Sequence, residues 1–191
     1  DARATGTGVG GTVIITGNVV AAEGGSVIDA SGAAGGTVLL GGDYQGGSNA
    51  SHKFVSELVS TANKAYVADG ATIRVDGTAG AGGRAVVWSD DTTVFLGTIT
   101  ATGAGNAAGG VVETSGHNLL LGDKITVSTL SEQGETGTWL IDPYNVTISS
   151  SGSSNVSVTV SGNPWNVVPS ASGANINNST LSTYLGSTNV A

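Results

Sequence analysis

Short apolar runs, each introduced by glycine, recur at regular intervals along the chain. They begin at Thr12, Thr37, Arg84, Val111 and Thr138, so the steps between their starts are 25, 47, 27 and 27 residues. A repeat of about 26 residues built from short β-type runs, with small residues at its corners, is typical of a β-helix. The chain is therefore predicted to form mainly a rod, in which successive coils stack on one another.

Two further sets of runs keep phase with the first. Alternating runs begin at Ile28, Ile73, Ile99 and Ile125, and the residue after each of these isoleucines is polar or charged. This period of two predicts strands with one buried and one solvated face. A third set contains Val19-Val20, Tyr66-Val67, Val94-Phe95-Leu96 and Leu119-Leu120-Leu121. Three short strands per coil predict an all-β, parallel β-helix, which is right-handed because parallel crossovers almost always are.

The stacking also predicts which side chains face inward. Coils stacked about 4.8 Å apart bury apolar side chains against the equivalent residues above and below. The second position of each glycine-led run reads Val13, Val38, Ala85, Val112 and Trp139, and the fourth reads Ile15, Leu40, Val87, Thr114 and Ile141. These positions predict two internal ladders, with Thr114 as the one weak member. Glycine is expected at the corners, where φ is positive or backbones approach closely.

Changes of composition set the predicted domain boundaries. We assign residues 1–148 to the solenoid, with a lateral insertion at 43–65 that fills the long step. Residues 149–191 form a Ser-rich linker and the start of a further β segment. The first residues read as the end of a strand of the repeat, so a longer parent protein is expected.

The insertion carries a pattern that favours a helix. Phe54, Leu58 and Ala62 recur at i and i+4 behind Ser51, which predicts an amphipathic helix of about three turns packed on the side of the rod. The predicted helix spans residues 51–64. The alternative is an extended loop that runs over the surface.

Composition and charge exclude several classes of protein. Hydrophobic residues make up 39% of the chain, which suffices for a core, and no apolar run approaches the roughly 20 residues of a membrane span. The absence of cysteine removes disulfides and thiolate metal sites. A net charge of −8 argues against nucleic acid or anionic lipid as a partner.

Several motifs together resemble a family of large secreted bacterial proteins. The sequence contains GGDYQGG from Gly41, AYVADGATI from Ala65, VVWSDDTT from Val86, GVVETSG from Gly110 and GTWLIDPYNVTI from Gly137. In this order the motifs resemble the filamentous haemagglutinin-like adhesins of two-partner secretion, over about residues 10–148. The resemblance implies a β-helical stalk, export through an outer-membrane transporter, and roles in adhesion or biofilm. The family's N-terminal secretion module is not visible, and the segment 51–64 is longer than is usual in the family.

The predicted function is an extracellular structural or adhesive module, part of a long surface stalk or filament. Its expected partners are further repeats of the same chain or further copies stacked end to end, the outer-membrane transporter, and host or matrix carbohydrate or protein. Nucleic acid is not expected as a partner, nor is a membrane-spanning segment. The alternative is a carbohydrate-active, pectinase-like β-helix enzyme. An ice-binding solenoid would need a regular threonine ladder, and the first position of the glycine-led runs is too irregular for one.

Candidate catalytic chemistry is sparse. Asp90-Asp91 is the best acidic pair for glycosidic cleavage, but adjacent strand residues point to opposite faces, so a solvated turn is the simpler interpretation. His52 and His117 lie on different coils and have no spaced partners for a triad or a metal site. The remaining acids considered are scattered at Asp29, Asp43, Asp76 and Asp123. We therefore predict no catalytic residues, no bound metal and no cofactor.

Two kinds of modification site are left open by the sequence. Asn-x-Ser/Thr sequons occur at Asn49, Asn145, Asn155, Asn177 and Asn178, and such matches also arise by chance in a chain rich in Ser and Thr. Some adhesins of the resembled family carry asparagine-linked sugars. The acid-labile Asp142-Pro143 bond lies where the regular repeat ends, and processing there is a hypothesis beside the plain interpretation of a strand end.

Overall fold

A computed structural model shows an all-β parallel solenoid of about five turns with ~27 residues per turn. It describes residues 1–48, 50–122, 124–143, 146–149, 156–159, 166–169, 174–177 and 179, with side chains described through Asp142 and at Ser179. The strands are β1 (Thr12–Ile15), β2 (Val19–Ala22), β3 (Val27–Asp29), β4 (Thr37–Leu40), β5 (Lys64–Val67), β6 (Thr72–Arg74), β7 (Arg84–Phe95), β8 (Thr98–Thr100), β9 (Val111–Leu121), β10 (Thr126–Ser128), β11 (Thr138–Pro143), β12 (Val146–Ser149), β13 (Val156–Thr159), β14 (Asn166–Pro169) and β15 (Ala174–Asn177).

The three predicted strands per coil are present, and they form three faces. The first face stacks β1, β4, the first half of β7, the first half of β9, and β11. The second face stacks β2, β5 and the second halves of β7 and β9. The third stacks β3, β6, β8 and β10. In β7 and β9 the first two strands of the coil merge, with a register irregularity between Ser89 and Thr92. The right-handed winding stays a prediction.

The two internal ladders are confirmed. The second positions of the glycine-led runs pair in register, and so do the fourth positions. Val38, Ala85 and Val112 are fully buried in the core. The weak member, Thr114, is also fully buried, and its hydroxyl accepts a hydrogen bond of 3.0 Å from the indole Nε1 of Trp139. Because its hydroxyl is paired, this threonine does not leave an unsatisfied polar group in the core.

Close backbone approach explains the glycine pairs. At each corner the second glycine donates its N–H to a carbonyl at the end of the third face, as from Gly83 to Val75 at 2.7 Å. A Cβ on Gly35 would lie 2.0 Å from the same Val75 oxygen, and one on Gly83 would lie 2.2 Å from the oxygen of Gly36. Neither Gly35 nor Gly83 is among the residues with positive φ. These corners therefore require glycine because any side chain would collide with neighbouring backbone.

One predicted register is wrong. Val127, and not Ile125, pairs with Ile99 in the third face. A shift of two residues leaves every side chain on its original face, so Ile125 and Val127 are both buried. The alternation in the sequence identified the inward residues of β10 but could not distinguish these two registers.

The predicted helix over 51–64 is also wrong, and the loop alternative is what the structure shows. The insertion contains one 3₁₀ turn, Tyr44–Gly47, and no α-helix among its described residues. Leu58 is 87% exposed whereas Ala62 is fully buried, so the two do not share an apolar face. The prediction that the insertion packs on the side of the rod is correct. We call residues 43–62 the strap.

Strands continue beyond the regular coils. β12 pairs in parallel with β15, and β13 pairs antiparallel with β14. The boundary at residue 148 and the linker stay predictions. No helix in the described part of the chain is both long and apolar enough to cross a membrane.

Candidate functional site

The acidic pair Asp90 and Asp91 lies at the irregularity in β7 but does not form a catalytic pair. The carboxylate of Asp90 accepts hydrogen bonds from Trp88 Nε1 at 3.1 Å and from the hydroxyl of Thr61 at 2.5 Å. The carboxylate of Asp91 instead faces Asn118, whose Nδ2 lies 3.3 Å from its Oδ1. Asp90 therefore ties the end of the strap to β7, while Asp91 links two neighbouring coils.

We expect this pair to be dispensable for chemistry. Neither the natural chain nor the double variant Asp90→Asn/Asp91→Asn should release product from acidic polysaccharides in a reducing-end assay. The unfolding free energy should fall by less than about 1 kcal/mol, because both carboxylates make bonds close to solvent. Product that appears with the natural chain and disappears with the double variant would contradict the prediction.

The other candidate residues that the structure describes lie apart from one another. His52 lies in the strap and His117 in β9, and both are exposed. Asp29 and Asp76 accept hydrogen bonds from neighbouring backbone or hydroxyl groups. Over residues 1–48, 50–122 and 124–142, no group of three or more His, Asp or Glu side chains is placed to hold a metal ion. Asp123, Asn49, Asn145, Asn155 and Asn178 fall outside the described residues, and Asn177 ends β15.

The strap covers part of the outer surface of the first face. The outward third positions Leu39 and Val86 are fully buried, and with Val59 they form a second apolar cluster outside the main core. Strap side chains Tyr44, Phe54 and Val55, together with Trp88 of β7, pack against this cluster. The rings of Tyr44 and Phe54 lie 4.7 Å apart, and the Arg84 guanidinium lies 5.0 Å from the centre of the Phe54 ring.

Asp43 organises the strap internally. Its side chain is 1% exposed, and Oδ1 accepts hydrogen bonds from the backbone N–H of Tyr44 at 2.7 Å and of Phe54 at 2.9 Å. The N–H of Val55 lies 3.4 Å from Oδ2. One carboxylate thus joins the first turn of the strap, at Tyr44, to its later part, at Phe54 and Val55. These bonds satisfy a buried charge that would otherwise be costly.

The indole ring of Trp88 packs against the backbone of the first turn of the strap. A Cβ on Gly42 would lie 2.6 Å from Cδ1 of the indole, and one on Gly46 would lie 2.7 Å from Cζ2. Gly46 also has a φ of +66°, where side chains are disfavoured. The GGDYQGG motif is therefore explained by backbone that lies directly on the indole ring.

Glu113 is the one acidic residue among the outward third positions, and its side chain is fully buried next to the strap. Its Oε2 accepts a hydrogen bond of 2.8 Å from the backbone N–H of Gln45, whereas its Oε1 has no hydrogen-bond partner. The pKa of Glu113 is raised to about 7, mainly by burial; hydrogen bonds from Gln45 and Ser115 act to lower it, and the nearby Asp142 and Asp43 act to raise it. Burial, together with Glu113 and Asp142, also raises the pKa of Tyr44.

Glu113 was not among the candidate residues predicted from the sequence. A signal was present, because the other third positions, Ile14, Leu39, Val86 and Leu140, are all apolar although they point outward. Such a row indicates that something covers this surface, and an acidic residue within it is an exception that needs a reason.

Comparison with known proteins finds similarity among solved structures. No family model matches the sequence, and no curated protein matches it. Among solved structures, the chain is similar to the crystal structure of the HMW1 secretion domain from Haemophilus influenzae, with 40% identity and a TM-score of 0.56. The match covers 70% of this chain and 32% of that one, so the chain spans about a third of the length of the relative it matches. From the sequence alone, stalk repeats were predicted and no secretion module was visible.

Proposed function

Because the chain belongs to the secreted adhesins of two-partner secretion, we propose that it is an extracellular structural module of such an adhesin. The observation that carries the proposal is the 40% identity to a secretion domain over 70% of the chain. The module's role is to extend a rigid solenoid from the bacterial surface and to hold a binding region away from the cell. The proposed role is mechanical and needs no catalytic residue.

The physical properties of the solenoid support this role. Each coil adds about 4.8 Å of length, and its backbone hydrogen bonds join it to the coils above and below. The stacked ladders of Val, Leu and Ile make a continuous core that does not depend on distant parts of the protein. A net charge of −8 keeps such rods apart in solution. Stacking of further copies into filaments, and a part in biofilms, stay within the proposal.

The proposed partner in export is an outer-membrane transporter. The similarity to a secretion domain supports this assignment, since the family is exported by a dedicated transporter. The match covers about a third of that structure, so the role in export is proposed for the matched coils.

A hybrid protein tests this proposal. The coils of the Haemophilus influenzae HMW1 secretion domain that match this chain would be replaced by the corresponding coils of the chain, and the hybrid would be produced with the transporter that exports HMW1. We expect the hybrid to be digested by protease added to intact cells, because the transporter receives a module of the same architecture. The control omits the transporter, and the hybrid should then stay protected. A hybrid that stays inside the cell while the unaltered domain is exported would contradict the proposal.

A further inference from the structure

The side chain of Glu113 on β9 is wholly buried and contacts the strap. Its Oε2 accepts a hydrogen bond of 2.8 Å from the Gln45 N–H, and its Oε1 has no hydrogen-bond partner. A neutral carboxylic acid tolerates this setting, whereas a carboxylate with one free oxygen would be a poorly compensated buried charge.

We propose that the strap is a pH-operated cover, closed over β4, β7 and β9 while the Glu113 carboxyl is neutral and released when that carboxyl ionises. Release lets water reach the carboxylate. It also uncovers the apolar surface made by Leu39, Val86 and Trp88.

The charged groups around Glu113 favour this behaviour. Among the described residues, the titratable groups that face it are Asp43 and Tyr44 from the strap and Asp142 from β11, and none of them can supply a positive charge. Arg84 on β7 lies over the Phe54 ring. Ionised Glu113 would therefore share its surroundings with other acids, and moving the strap separates it from two of these groups.

The strap is the part of the surroundings that can move. Glu113 and its neighbours in β7 and β11 are held in parallel ladders, whereas no described residue of the strap belongs to a strand. The bonds of Asp43 join strap residues to each other, so they survive when the strap lifts as a unit. Gln45, whose N–H contacts Glu113, has a φ of +52° and is the one non-glycine residue with positive φ among those described. Its strained backbone relaxes on release.

The direction of the pH effect follows from the two states. In the open strap the carboxyl has an ordinary pKa near 4.5, and in the closed strap the pKa is about 7, so the closed state holds the proton more tightly. The ratio of open to closed strap should therefore rise about tenfold per pH unit between these values, roughly 300-fold in total, and level off above pH 7.

Hydrogen exchange across a pH series tests the proposal. Amide protection of strap peptides would be followed by mass spectrometry from pH 4.5 to 8, corrected for intrinsic exchange and referred to the amides of β8. Strap protection in the natural chain should fall by up to about 300-fold over this range, while β8 stays protected. The isosteric variant Glu113→Gln should lose this pH dependence, because the amide cannot ionise.

Two further variants provide a control and a second substitution of Glu113. Glu57→Gln changes an exposed carboxylate of the strap and should follow the natural chain. Glu113→Leu places at this position the residue type found at Leu39, and it should also abolish the pH dependence, so the test does not rely on a single substitution. Strap protection that is constant across the pH range in the natural chain would overturn the proposal. So would a fall that persists in Glu113→Gln or Glu113→Leu.

Discussion

Val112→Asp should unfold the centre of the solenoid. Val112 is fully buried and lies in register between Ala85 and Trp139, on the inner side of β9. An aspartate there would place a carboxylate between two coils with no group to pair with it. We expect the free energy of unfolding to fall by about 4 kcal/mol or more, a large part of the total stability of a typical domain.

The loss of stability should extend beyond the substituted coil. Each coil of a solenoid is stabilised by its neighbours, so loss of one interface weakens the coils on both sides. Urea denaturation measures the total loss, and hydrogen exchange should show reduced protection in β7 and β11 as well as in β9. Thr126→Asp is the matched control on an exposed outward position, and it should cost under about 0.5 kcal/mol. Equal losses for the two variants would show that the inward and outward assignments are wrong.

Gly35→Ala should be the second strongly destabilising change, although it adds one methyl group. The new Cβ would lie 2.0 Å from the carbonyl oxygen of Val75 and 2.3 Å from the backbone nitrogen of Gly83. Both contacts are with backbone, so no side-chain rotation can relieve them. The coils would have to separate at this corner, and we expect a loss of at least about 3 kcal/mol.

A glycine in an open position provides the control. A Cβ on Gly17 would meet its nearest atom, the carbonyl oxygen of Val19, at 3.4 Å, which is ordinary contact, and its φ is not positive. Gly17→Ala should therefore leave the unfolding free energy within about 1 kcal/mol of the natural value. Thermal melts of the two variants, followed by circular dichroism at β-sheet wavelengths, compare their stabilities. A Gly35→Ala protein as stable as Gly17→Ala would rule out close backbone approach as the reason for the glycine pairs.

The sequence alone was sufficient to predict the stacked coils and their inward-facing residues. Period-two alternation marks inward residues, and the repeat length places equivalent residues in stacked coils, so Val38, Ala85 and Val112 could be assigned to one ladder before the structure. Both signals are local in the sequence and are enforced by burial, which explains why they survive in the fold. The family resemblance rested on motifs in these coils and on GGDYQGG, which leads into the strap.

Tertiary structure decided what lies on the outside of those coils. The spacing of Phe54, Leu58 and Ala62 fits a helix, yet the carboxylate of Asp43 and the ring of Trp88 hold the strap in an irregular path. Local apolar spacing contains no information about such distant partners. For the same reason the burial of Glu113 was not foreseen, since it arises from a segment 68 positions away in the sequence that contacts it through Gln45. Inward faces follow from the repeat, whereas covered outward faces depend on which segment folds back onto them.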